Sequence, residues 1–424
     1  MNGPTTELEA TTRTSAPSWK DITTRTLRRS ERPYACGEPT LPVVVEAERH
    51  RSVKWLATRL SAEPAAIKAM LHTHGAVLFR GFDVTRDADF EELVTSVDRA
   101  RPMTSYFMSE AGRHSIEGTR GVLNTNSLYK TGGALYLGGF HSENFYSTDV
   151  PALQAFWCKE PPQLGGETAI VHSANMYAEL PRELRHELEK ERVLAGVFSV
   201  KSIAERYGVD EARVEAFCRA VGLEVHDGVD GKAVLVFKPV VIEHPQTGRP
   251  ALQVNVSGEV PGFDAALRRH AAPSYRGLRW ALHRAAWQSP SLAALLPLVD
   301  SYPLLVETLS GTLGALAQRL RARRESTPSP LPGRLGERLT ASDAEALARA
   351  VWRHTSVFTW QRGDVLLCDQ LQLLHAGMPG RGRRDIRVMM CDPIRIELPV
   401  TSGVLSPRVD RSYEPIGARL ARLA

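Results

Sequence analysis

The stretch from about residue 120 to residue 260 constrains the fold more than any other part of the chain. Short β-branched or aromatic runs alternate there with glycine and proline: PALQAFWC (151–158), GGETAIVHS (165–173), KAVLVFKPVVIEH (232–244) and PALQVNVS (250–257). Runs of this length bounded by turn formers read as strands whose successive side chains point to opposite faces, which predicts an all-β core. One helix is expected to interrupt it, ELPRELRHELEKERV (179–193), whose opposite charges at i, i+4 spacing suit a solvated outer face.

Helical patterns flank this core. SVKWLATRLSAEPAAIKAMLHTHG (52–75) reads as a helical stretch feeding GAVLFRGF (75–82), a short apolar strand closed by glycine. Between about 262 and 340 the chain turns to Ala, Leu and Arg. Leu309, Leu313, Leu316 and Leu320 share one helical face there, which predicts core packing, with a lid over a site or a homodimer surface as the alternatives. RARRESTPSPLPGR (321–334) reads as an exposed linker. Ser342 with Glu345 has the spacing of a capping box opening a helix that buries Leu347 and Val351. Strands return in SVFTWQRGDVLLCD (356–369) and RDIRVMMCDPIRI (384–396). The expected organisation is a disordered or extended tail over 1–35 and one domain over 36–424 with a helical insertion at about 262–340.

Composition excludes several classes of function. Lys plus Arg is 53 against 48 for Asp plus Glu, a net charge of +5, too mild over 424 residues to mark a nucleic-acid partner. The five cysteines, Cys36, Cys158, Cys218, Cys368 and Cys391, are scattered without any C-x-x-C, which points to a reducing cytoplasm rather than a disulfide framework or zinc knuckle. No apolar run approaches the roughly 18–20 residues that span a bilayer, so no membrane partner is expected.

The chemistry concentrates in GGFHSENFYS (138–147). In an extended segment residues i and i+2 point the same way, so His141 and Glu143 can offer a ring nitrogen and a carboxylate oxygen to one point. A histidine from a neighbouring strand would complete a 2-His-1-carboxylate face that suits Fe(II) and leaves three coordination positions open. His375 is the candidate, because it ends an apolar run and enters the glycine-rich loop of DQLQLLHAGMPGRG (369–382). His74, His172 and His354 have no comparable partner pattern and read as structural.

Four passages together resemble the TauD/TfdA-like Fe(II)- and 2-oxoglutarate-dependent oxygenases, especially the clavaminate synthase-like and SyrP-like branch with H-x-E. They are HGAVLFRGF (74–82), FHSENFYSTDVPALQAFWCKEPPQLGGETAIVHS (140–173), FTWQRGDVLLCDQLQLLH (358–375) and GRGRRDIRVMM (380–390). The resemblance implies a mainly β fold with flanking helices (α+β), its core a cupin-like double-stranded β-helix or jelly roll with helical elaborations. It assigns His141, Glu143 and His375 to iron, and Thr168 with an arginine to the C5 carboxylate of 2-oxoglutarate.

Arg384 fits the family spacing best. Arg387 is the alternative anchor and otherwise a substrate-binding residue. The two differ by an odd number, so on a regular strand they face opposite sides. A buried far carboxylate requires a cation, and guanidinium offers a two-pronged donor. Where relatives often carry Asp-Asn, this chain has Asp369-Gln370, which affects the local turn and not the ligand set.

Because Glu143 is retained, the implied reaction is hydroxylation or desaturation of an unactivated C–H bond, using O2 and releasing succinate and CO2, rather than halogenation. The implied substrate is a small molecule or one tethered to a carrier: an amino acid or a peptide-like natural product. Two other readings use the same residues, a zinc-dependent cupin-like hydrolase and a non-catalytic jelly-roll binding protein. A hydrolase has no need of the oxoglutarate anchor implied for Thr168 and Arg384, and retention of the whole triad weighs against the binding protein.

Overall fold

The computed structural model describes residues 22–34, 40–104, 107, 114–125, 137–190, 192–228, 231–289, 333–381, 383–396 and 404–424. The tail before residue 22, Cys36, the Leu309–Leu320 stripe and most of the linker around Ser326 lie outside these.

Seven strands form the larger sheet, in the order β1 (Thr23–Arg25), β2 (Val43–Glu46), β3 (Ala76–Arg80), β14 (Val365–Asp369), β5 (Asp149–Glu160), β17 (Asp385–Arg395) and β4 (Val122–Asn124). Every pairing is antiparallel except β2 with β3. A smaller antiparallel sheet has the order β13 (Thr355–Val357), β7 (Thr168–His172), β15 (Leu373–Gly377). Strands β8 (Val193–Ser199), β10 (Gly231–Lys238) and β9 (Glu224–Gly228) form a third sheet, and β11 (Val241–Glu243) pairs with β12 (Pro250–Leu252). The short β6 (Leu164–Gly165) pairs with β16 (Gly380–Arg381).

The alternation of side chains explains the layering. Leu78, Leu366, Cys368, Phe156, Cys158, Ile386, Val388 and Met390 point from the larger sheet into one buried cluster with Ile170 and Leu373 of the smaller sheet. Their neighbours Val77, Phe79, Val365, Leu367, Ala155, Trp157 and Met389 point the other way. They pack against Leu56, Leu60, Ile67, Leu71, Phe90 and Leu93 of the helices Val53–Ala62, Pro64–His74 and Asp87–Ser96. Ala169, Val171, Leu374 and Ala376 likewise cover the outside of the smaller sheet, beneath Phe263, Leu267, Leu347 and Val351. Two facing sheets with helices outside are the double-stranded β-helix that the resemblance implied. Each large apolar side chain so enclosed contributes about 1.5–3 kcal/mol. Among the described residues no helix is long and apolar enough to cross a membrane.

Three local readings change. The helical stretch at 52–75 is two helices, because Pro64 cannot continue the first and instead opens the second at its first turn. The helix Ala341–His354 is capped by Thr340 with Asp343 rather than by Ser342 with Glu345. Thr340 keeps extended backbone, accepts from the Asp343 N–H at 3.2 Å and donates its own N–H to the Asp343 carboxylate at 2.9 Å. Glu345 instead pairs with Arg269 and His270. The core is also interrupted by more than one helix: Ser173–Ala178, Val200–Tyr207 and Glu211–Ala220 join Arg182–Leu188. The signals were present in Ser199 and Asp210, whose side chains cap the second and third of these.

Candidate metal centre

His375 lies on β15 with Leu373, and that parity turns both side chains into the space between the sheets. Directly across from it is His141. The His141 N–H donates to the His375 carbonyl at 3.1 Å and the reverse bond is 2.9 Å, so residues 234 positions apart form one hydrogen-bonded cross-strand pair. Their ring centroids are 4.4 Å apart. The other side of His141 is held by the segment ahead of the helix Val256–Glu259, through a bridge to Asn255 and the Ser142 N–H on the Val254 carbonyl.

Glu143 reaches the same place by a different route from the straight strand expected. The chain turns over residues 143–146, with Asn144 in the left-handed region at φ 54°. The Asn144 amide donates to the Asp149 carbonyl at 3.2 Å and its oxygen accepts from the Tyr146 hydroxyl at 3.2 Å, which holds that turn. The Glu143 carboxylate is 1% exposed, and its Oε2 lies 3.7 Å from His375 Nε2. One ligand atom from each of His141, Glu143 and His375 falls within 4.8 Å of the others. Ligands about 2.0–2.2 Å from a shared metal ion stand roughly 3 Å apart when adjacent, so closure needs only small side-chain adjustments.

Hydrogen bonding also prepares the ligand atoms. His141 Nδ1 sits 2.5 Å from the Gly139 carbonyl, and a carbonyl can only accept. Nδ1 therefore carries the proton and Nε2 keeps its lone pair for a metal. Gln154, on the inward face of β5, donates its amide to Glu143 Oε2 at 2.6 Å.

Thr168 opposes Gly377 on β15, two positions along from the Ile170–His375 pair. The Thr168 hydroxyl accepts from Arg384 Nη2 at 3.1 Å and from the Trp360 ring N–H at 3.3 Å. Among the described residues Arg384 has no carboxylate within ion-pair distance and its Nε has no hydrogen-bond partner. Burial lowers its pKa to about 10, against the attraction of Glu167. Burial pushes Glu167 itself up to about 7. Arg387 is placed elsewhere: its Nε donates to Asp87 at 2.8 Å and its Nη1 to Asp385 at 2.7 Å. Thus the structure brings Thr168 and Arg384 together and commits Arg387 to two carboxylates.

A second trio, His72, His244 and Asp369, also gathers metal-ligating atoms, on the helix-covered side of the larger sheet. Its hydrogen bonds argue against a metal. His244 Nδ1 accepts from the Gln246 and Thr247 N–H groups at 3.3 and 3.1 Å, so Nε2 bears the proton and donates to Asp369 Oδ2 at 3.0 Å. Gln372 donates to the same oxygen at 2.9 Å, and the Leu371 N–H donates to Oδ1 at 3.3 Å. Burial opposes the shift, but the hydrogen bonds from His244 and His72 hold the Asp369 carboxyl below its ordinary pKa. The trio is a clasp that fixes the turn leading to His375. Asp369→Ala leaves buried donors unpaired and is expected to cost about 1–3 kcal/mol, read as a lower urea midpoint.

His74, His172 and His354 stay apart from the candidate metal ligands. His172 Nδ1 caps a helix through the Asn175 N–H, and His354 Nε2 lies 3.1 Å from Glu179. Sequence reasoning missed Gln154 and Trp360. Extending the inward alternation of Phe156 and Cys158 back by two positions would have exposed Gln154 as a polar residue facing the core.

The family model described as "Taurine catabolism dioxygenase TauD, TfdA family" matches residues 38–286, more than half of the chain. That span includes His141, Glu143 and Thr168, while His375 and Arg384 lie beyond it. The dapdiamide synthesis protein DdaC of Enterobacter agglomerans is 24% identical over 374 residues, covering 86% of this chain and 94% of that protein. A clavaminate synthase-like protein of Arabidopsis thaliana is 32% identical over 111 residues, 26% of this chain and 31% of that one. A solved taurine dioxygenase from Burkholderia xenovorans aligns with a TM-score of 0.43 at 14% identity, covering 95% of this chain and 99% of its own. The chain belongs to the TauD/TfdA family and is a non-haem dioxygenase dependent on Fe(II), 2-oxoglutarate and O2.

Proposed function

We propose that His141, Glu143 and His375 hold Fe(II), that Arg384 and Thr168 anchor the far carboxylate of 2-oxoglutarate, and that the substrate is an amino acid, free or carrier-tethered, or a peptide-like natural product. The observation that carries this reading is the Arg384 guanidinium, its Nε without a partner among the described residues, beside the Thr168 hydroxyl two strand positions from the His375 pair. Two positions span about 6.6 Å at about 3.3 Å per residue, a length that suits a five-carbon dicarboxylate gripped at both ends. A hydrolytic zinc site has no use for such a cation.

Bound Fe(II), with 2-oxoglutarate and O2, supplies the oxidant that removes a hydrogen atom from an unactivated C–H bond, with succinate and CO2 released. The protein's own part is geometry and exclusion of water. His141, Glu143 and His375 would hold Fe(II) with three side chains and would leave room on it for 2-oxoglutarate and O2. His141 is fixed in the tautomer that presents Nε2, and the Glu143 carboxylate offsets part of the metal charge. Phe156, its ring centroid 5.4 Å from that of His375, screens the site from the sheet side. The substrate class is supported by the dapdiamide synthesis relative and the clavaminate synthase-like one.

Anaerobic addition of Fe(II) and then 2-oxoglutarate is expected to produce the weak visible charge-transfer band of the chelate. Admitting air with a panel of amino acids and aminoacylated carriers should then give succinate in proportion to oxidised product. A protein that develops no band at saturating Fe(II) and 2-oxoglutarate does not have this function.

A further inference from the structure

We infer that Gln154 is a positioning residue for the metal centre, and that its amide fixes the Glu143 carboxylate for coordination; this rests on the proposed iron site. Gln154 is fully enclosed on β5, inward-facing between Cys368 of β14 and Met390 of β17. Its amide has a single side-chain hydrogen bond, 2.6 Å to Glu143 Oε2, while its Oε1 is buried without a partner among the described residues. A carboxylate only accepts, so the NH2 end must be the one facing Glu143.

What sets Gln154 apart from the other buried glutamines is the partner of its donor end: Gln253 and Gln370 donate to backbone carbonyls and Gln372 to backbone and Asp369, whereas Gln154 makes a short charge-assisted bond to a metal-ligand candidate. That bond withdraws Oε2 from free rotation and sets the carboxylate plane. The turn at 143–146 places Glu143 beyond the His141–His375 backbone pair, so the position of its carboxylate is set through its side chain. Removing the partner of a ligating carboxylate typically weakens metal binding by about 10–100-fold.

The test is anaerobic Fe(II) titration, in the presence of saturating 2-oxoglutarate, of the wild type, Gln154→Met and Gln154→Asn, following the visible band. Methionine preserves length without a donor; asparagine keeps the amide but is one methylene too short for a 2.6 Å bond. Both variants are expected to need about 10–100-fold more Fe(II) and to show a displaced band maximum, with native near-UV circular dichroism. Unchanged Fe(II) affinity and band position in either folded variant overturns the inference. So does an asparagine protein that matches the wild type while the methionine protein fails to fold, since polarity rather than the bond would then matter. Failure of the wild type itself to bind Fe(II) would instead remove the proposed iron site, a separate outcome read in the same titration.

Discussion

His375→Ala abolishes the visible Fe(II)–2-oxoglutarate band while the protein stays folded. The backbone bonds between residues 141 and 375 are made by N–H and carbonyl groups, so alanine preserves the strand pairing and deletes only the ring. What remains is one imidazole and one carboxylate, one side chain short of the set that would hold Fe(II). Losing a direct ligand should exceed the roughly 100-fold upper range seen when only an outer partner is removed. Calorimetric Fe(II) titration checks this. His354→Ala, whose imidazole faces Glu179, serves as the control and is expected to bind Fe(II) like the wild type. Equal affinity in the two variants would remove His375 from the ligand set.

Arg384→Ala should raise the 2-oxoglutarate concentration for half-development of the band by about two to three and a half orders of magnitude. The expected loss follows from leaving one buried charge without its partner, about 3–5 kcal/mol, at 1.4 kcal/mol per tenfold. Fe(II) affinity measured before 2-oxoglutarate is added should not change, since no metal ligand is touched. Arg384→Lys is expected to fall between the two, because an ammonium keeps the charge but not the paired donors. Arg387→Ala gives the opposite pattern: it breaks the bonds to Asp87 and Asp385, lowering the unfolding midpoint while the 2-oxoglutarate titration stays that of the wild type. If Arg387→Ala alone shifted that titration, the anchor would belong to Arg387.

The sequence by itself determined the strands of the core and pointed to the candidate metal ligands. Alternation of apolar side chains is a local property, and so is the proximity of His141 to Glu143. Hence β3, β5, β7, β10, β14, β15 and β17 were all legible as runs. Helix starts were less so, since Thr340–Asp343 and Ser342–Glu345 carry similar cap spacing and only the extended backbone at Thr340 separates them.

What only the tertiary structure decided is which distant side chains face one another. Pairing of β7 with β15 and the bridge from His141 to His375 depend on the register of strands far apart in the chain, and a slip of one residue would turn either imidazole into the opposite face. The division of labour between Arg384 and Arg387 was decided in the same way. Both are arginines in one basic run, but Asp87 arrives from a helix about 300 residues earlier to neutralise the second, and no carboxylate arrives among the described residues to pair with the first. Side-chain charge is written in the sequence; whether that charge is spent or left available is settled by what long-range packing brings beside it.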